Sequence, residues 1–106
     1  MKLITAIINR KDANKVCDAL TKNRFPFTKM ATMGGFLKAG NVTLLIGTED
    51  PKVEQVIAII RKNSARRTES VKDPDMLQYV SAPESGAVVV GGATVFVTTV
   101  ERFEKM

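Results

Sequence analysis

The chain has 106 residues, 44% hydrophobic and 25% charged, with 16 Lys and Arg against 11 Asp and Glu for a net charge of +5. That length suits a single domain, residues 1–106, with one thin core that oligomerisation would supplement. One cysteine excludes an intrachain disulfide, and the absence of histidine removes most zinc sites, the Ser-His and Cys-His pairs and the usual base near neutral pH. The expectation is therefore a protein that is not an enzyme and carries no metal or cofactor. The moderate positive charge favours an anionic partner such as a nucleotide.

No apolar run approaches the ~20 residues that span a bilayer. Residues 3–8 are apolar but shorter than a secretory h-region, and no small-residue cleavage site follows, so they read as a buried first strand of a cytoplasmic protein. Asn9 to Asp12 punctuate the chain. Ala13, Val16, Cys17 and Leu20 then recur at helical spacing, with Lys15, Asp18 and Lys22 on the other face. This helix should stop near Asn23 and Arg24, because Pro26 pushes its predecessor out of the α region. Residues 25–32 read as a second strand with Phe25, Phe27, Lys29 and Ala31 on one face. A turn-rich stretch from Gly34 to Asn41 leads to a third strand over residues 42–48.

Asp50-Pro51 reads as a helix start, with Asp50 as cap and Pro51 at the first helical position. Val53, Val56, Ile57 and Ile60 supply the apolar stripe. Residues 63–86 lack periodic apolar positions and read as a loop of ~20 residues, a length that in a small domain tends to be functional. Residues 87–90 and 93–99 are β-branched strand material broken by Gly91-Gly92, which suggests a bulge or a close backbone approach, and residues 100–106 read as a last helical turn. The order is strand, helix, strand, strand, helix, strand. This is the ferredoxin-like βαββαβ pattern, an α+β fold with an antiparallel sheet and two helices on one face. The valines of the last strands leave more apolar surface than two helices can hide, so a homo-oligomer is expected.

The most unusual stretch is Thr28-Lys29-Met30-Ala31-Thr32-Met33-Gly34-Gly35-Phe36-Leu37-Lys38-Ala39-Gly40-Asn41. Gly34-Gly35 allows close backbone approach. The aromatic that follows suits a planar base, which needs a stacking face and hydrogen bonds at its edge. Lys29 and Lys38 can face phosphate. The alternative is a plain hairpin turn with Phe36 in the core or in an oligomer contact. Elsewhere the ordinary readings prevail. Arg61, Lys62, Arg66 and Arg67 are a basic cluster at a helix end, Cys17 is a small core residue, and Asp73-Pro74-Asp75 is turn chemistry. Scattered basic residues and few aromatics give no reason to expect nucleic-acid binding.

The stretch from Thr28 to Asn41, together with Gly91-Gly92-Ala93-Thr94-Val95-Phe96-Val97, resembles the PII-like cyclic di-AMP receptor proteins of Gram-positive bacteria. The resemblance runs over nearly the whole chain and weakens in residues 63–86. It implies a PII-like homotrimer with a long loop after the second helix and a cyclic di-AMP site at each subunit interface. Loop changes would relay binding to an unidentified downstream protein. The family's ligand contacts match Thr28, Gly35, Phe36, Leu37, Asn41, Gly47 and Gly92. Phe36 and Leu37 would pack on adenine, Thr28 and Asn41 would hydrogen-bond base or phosphate, and backbone near Gly47 would read the adenine edge. Arg24, Lys29 and Lys105 are further candidate contacts. The chain departs from the family's pattern at Arg24, where asparagine is expected, at Pro26, where arginine is expected, and at Lys105, which replaces a glutamine. Those departures support a second reading, a trimeric module that binds another nucleotide or has lost cyclic di-AMP.

Overall fold

The computed structural model describes residues 1–32, 40–65, 67–70, 87–90 and 92–106. Strand β1 (Lys2–Asn9) leads directly into helix α1 (Arg10–Lys22), whose start is set by Asn9: its side-chain oxygen accepts a 2.9 Å hydrogen bond from the Lys11 amide. The helix thus begins three residues before the apolar stripe, and Ala13, Val16 and Leu20 are buried beneath it. Its end is a Schellman motif. Arg24 sits at φ 63° and its amide donates to the Thr21 carbonyl at 3.0 Å, while the Phe25 amide reaches back to the Leu20 carbonyl at 2.9 Å. Phe25 and Leu20 both enter the core, the apolar contact that accompanies this motif. The helix therefore stops where expected, near Asn23 and Arg24, but the left-handed Arg24 rather than Pro26 closes it. Phe25 belongs to the cap rather than to a strand, and β2 begins only at Thr28 (Thr28–Thr32).

β3 (Asn41–Thr48) pairs with both β2 and β1, and β1 pairs with β6 (Ala93–Thr99) on its far side. The sheet is antiparallel throughout with order β2-β3-β1-β6. Register assigns the faces, because residues directly opposite one another point the same way. Ile4 opposes Ile46, Ala6 opposes Leu44 and Ile8 opposes Val42. All six are buried against Val16 and Leu20 of α1 and Val56 and Ile60 of α2 (Val53–Asn63). Burying each of these larger side chains contributes roughly 1.5–3 kcal/mol. The opposite face carries Thr28, Leu45, Thr5 and Phe96 in one row and Gly47, Leu3 and Thr98 in the next. Here apolar groups meet solvent: Phe96 is 47% and Met30 40% exposed.

The second helix starts differently from the expectation. A 3₁₀ turn over Asp50–Lys52 precedes α2, and no side chain caps it. Asp50 lies instead 3.2 Å from the Met1 ammonium. At the other end the Ser64 hydroxyl and the Asn63 amide return to the Ile60 and Ile59 carbonyls, satisfying groups that a helix end leaves open.

Beyond α2 the expected loop contains a strand. β4 (Arg67–Ser70) pairs antiparallel with β5 (Ala87–Val90) in a separate two-stranded sheet, with Arg67 opposite Val90 and Ser70 opposite Ala87. Residues 71–86 of that loop lie outside the described residues. Gly92, at φ 79°, is not a bulge within one strand: the chain leaves one sheet at β5 and joins the other at β6. Its amide donates to the Ser64 carbonyl. The expected final helical turn is absent too. The Val100 amide bonds to the Met1 carbonyl at 3.1 Å, a bend follows at Glu101, and residues 102–106 have no regular structure. The result is a small α+β sandwich with four antiparallel strands and two helices, compatible with the ferredoxin-like pattern.

Candidate functional site

On the open face, β2 pairs with β3 only as far as Thr28 opposite Leu45. Gly47, two residues further along β3, therefore has a paired strand on one side only, where it opposes Leu3. A Cβ placed on Gly47 would meet nothing within 4 Å. This open space is part of a groove of about 650 Å³. Leu3, Leu45 and Gly47 form its floor, Pro26 to Thr28 one wall, and Phe103 to Lys105 the other. That volume falls in the range of small-molecule sites, and an apolar floor with a few polar groups is their usual make-up. A second hollow of about 440 Å³ adjoins it across Pro26 and Gly47 and is lined by Arg24, Thr48, Lys52 and Gln55.

Three cations border this double groove, Arg24, Lys52 and Lys105. Two carboxylates oppose them, Glu49 in the second hollow and Glu104 in the first, the latter engaged at 3.0 Å by Arg102. Both partners are largely exposed, so the pair contributes little to stability. The edge of the groove is thus mildly electropositive and suits an anionic ligand.

The expected site residues separate into two groups. Thr28, Gly47 and Lys105 line one groove, with Arg24 in its neighbour. Asn41 lies at the other end of the sheet, opposite Asn9, and Gly92 directly precedes Ala93, which opposes Ile8. Asn9 is six residue steps along β1 from Leu3, roughly 20 Å of strand. Gly92 borders a different hollow of about 300 Å³ beside Arg61 and Ser64. Its amide is already committed to Ser64. Lys29 opposes Leu44 and so belongs to the helix side of the sheet, where its ammonium reaches Asn14 of α1 at 3.5 Å. Gly35, Phe36 and Leu37 lie outside the described residues.

Sequence reasoning missed Phe103 and the Leu3 and Leu45 floor. The floor was legible in principle, since Leu3, Thr5 and Leu45 alternate with fully buried neighbours. Phe103 carried one signal, an aromatic set among Arg102, Glu104 and Lys105. Cys17 is half-buried, and burial raises its thiol pKa above the ordinary value, with Lys29 lowering it and Asp18 raising it in part. It remains a protonated thiol at neutral pH. Among the described residues, no three His, Cys, Asp or Glu side chains gather as a metal site, and no helix is long and apolar enough to cross a membrane.

Fold and groove together define a small α+β domain with an open hollow on its uncovered sheet face. All of its residues, 1–106, match the model of the cyclic-di-AMP receptor family, and the chain belongs to that family. It is also similar to a crystal structure of a functionally unknown protein from Pediococcus pentosaceus, at 39% identity over 99% of this chain and 96% of that one, with a TM-score of 0.77.

Proposed function

We propose that this protein is a cyclic di-AMP receptor that assembles as a homotrimer and seats its ligand between subunits. The observation that carries the reading is the groove over Gly47, found in a chain whose entire length matches a receptor family for that nucleotide. Cyclic di-AMP presents two purine faces, two base edges and two phosphates. Thr28 and the one-sided backbone at Gly47 supply hydrogen-bonding groups for a base edge, and Arg24 and Lys105 supply charge for phosphate. Gly35, Phe36, Leu37 and Asn41 complete the site by resemblance. The ~20 Å between the Gly47 end and the end holding Asn41 and Gly92 favours a composite site, because a second copy can bring opposite ends together. The exposed Phe96 and Met30 on the open face favour such an assembly as well.

In this reading the protein is a cytoplasmic signalling module rather than an enzyme, and the segment after α2 changes to meet a downstream protein. Calorimetry with purified protein tests it. Saturable cyclic di-AMP binding at micromolar or tighter concentrations is expected, with a solution mass of three times the 11.6 kDa chain. A flat titration of properly trimeric protein overturns the ligand.

Pro26 favours a second reading. It stands in the groove wall with neither an amide hydrogen nor a side-chain donor, where the family's pattern expects arginine. Loss of one donor to a buried polar group weakens binding by roughly 1–3 kcal/mol. A thermal-shift panel of nucleotides separates the readings, because a ligand that binds only the folded state raises the melting temperature.

A further inference from the structure

The groove wall opposite Pro26 and Thr28 is made by residues 103–105, which belong to no helix or strand. Their position is nevertheless fixed at its root. The Val100 amide donates to the Met1 carbonyl at 3.1 Å, and the Lys2 ammonium donates to the Thr99 hydroxyl at 2.8 Å. The terminal segment is thereby tied to the start of β1, next to Leu3 of the groove floor. Arg102 and Glu104, on either side of the intervening residue, meet each other at 3.0 Å and so leave the groove to that residue and to Lys105.

That residue is Phe103. It is 63% exposed, more so than any other aromatic side chain among the exposed large apolar groups. No core contact accounts for it, since it is absent from the buried cluster and from the residues packed against that cluster. It lies on the groove with a cation two residues away at Lys105, a hydroxyl across from it at Thr28, and open space over Gly47. An aromatic face, a cation and hydrogen-bonding groups around an apolar floor of this size form the set that a purine nucleotide requires.

We infer that Phe103 is a ligand-contacting residue: a purine base of the bound nucleotide stacks on its ring, inside the groove. This inference rests on the nucleotide-receptor reading above and adds an aromatic stacking face to a terminal segment that there supplies only the Lys105 charge. Its occupant is the base of cyclic di-AMP, and a second copy of the chain is the competing occupant.

The test uses the full-length protein and calorimetry with cyclic di-AMP. Phe103→Ala weakens binding roughly ten- to hundredfold, the span that loss of one aromatic–base stack gives. Phe103→Tyr keeps the ring and stays within a few-fold of the unaltered protein. Phe103→Leu keeps the bulk without the ring and remains at least about tenfold weaker, in the same stacking range. Melting temperatures of all three stay close to that of the unaltered protein, because the side chain is mostly in solvent. Unchanged affinity in Phe103→Ala, or full affinity in Phe103→Leu, overturns the stacking role. A change of solution mass in Phe103→Ala also overturns it, in favour of a subunit contact. If the unaltered protein itself fails to bind, the receptor reading falls and takes this inference with it. If the unaltered protein binds and the Phe103 variants match it, only the inference falls.

Discussion

The two ends of the four-stranded sheet are built on opposite principles. At the end holding Asn41 and Gly92, backbone groups are tied off: the Gly40 carbonyl accepts from Arg10, and the Gly92 amide donates to Ser64. At the end holding Gly47, β2 stops short, the backbone has a paired strand on one side, and the space above it is open. At the first, glycine backbone groups are already bonded; at the second, the glycine beside the larger groove is open even though Val100 and Met1 are tied nearby. Tied-off backbone makes for structural stability, whereas open backbone beside an apolar floor is available to a ligand.

Three sets of variants can break or sharpen that contrast. The largest effect lies between the ends, where Leu44 is fully buried. Leu44→Ala should cost about 2–5 kcal/mol, read as a fall in the urea midpoint, and should loosen both ends alike. A much smaller loss would mean that the core does not couple them.

Next come two glycines that should behave oppositely. Gly47 is not among the positive-φ glycines and a Cβ there meets nothing. Gly47→Ala should therefore preserve stability, or raise it by up to about 1 kcal/mol, while the new methyl occupies ligand space and weakens cyclic di-AMP binding by about tenfold or more. Gly92 sits at φ 79°, so Gly92→Ala should cost about 1–2 kcal/mol of stability. Parallel melting curves and titrations decide the matter, and equal losses of stability at both glycines would erase the contrast.

The smallest effect belongs to Arg24, held at φ 63° where glycine is usual. Arg24→Gly should raise stability by about 1 kcal/mol and, in the proposed site, lower nucleotide affinity. Urea melts and calorimetry on the same preparation give the two signs. A gain of stability with unchanged affinity would remove Arg24 from the phosphate contacts and leave only its strain to explain.

Much of the sandwich was readable before the structure, and for a clear physical reason. Val16, Leu20, Val56 and Ile60 repeat at helical spacing, and the apolar strands around Ile4 and Leu44 bury one full face. Local periodicity reports on such elements directly. The valines of residues 87–90 marked β5 as a strand, but β4 and its pairing escaped because the pairing joins residues about twenty apart and leaves no periodic mark near β4. The helix stop was placed correctly for the wrong cause: nothing in an arginine announces a left-handed conformation. Asp50 looked like a cap, yet the nearby Met1 ammonium holds it.

The site was legible to a lesser degree. Thr28, Gly47 and Lys105 were named through resemblance, and only the strand register brings the first two onto one face. Gly35, Phe36 and Leu37 remain candidates by resemblance, outside the described residues. Lys29 shows the limit of pattern alone, since a basic residue next to Thr28 in sequence belongs to the other side of the sheet. Phe103 could not be assigned to the groove until the structure placed residues 103–105 in its wall.

The joint between Ser64 and Gly92 has a consequence for how this chain can change over evolutionary time. The polypeptide leaves the sandwich at one residue and re-enters it at another that is hydrogen-bonded to the first. Whatever lies between is attached as through a socket. Closure entropy grows so slowly with length that doubling such an excursion costs only about 0.6 kcal/mol. Inserts of very different length or sequence can therefore be exchanged at this socket while the sheet, its helices and the Gly47 groove are inherited intact.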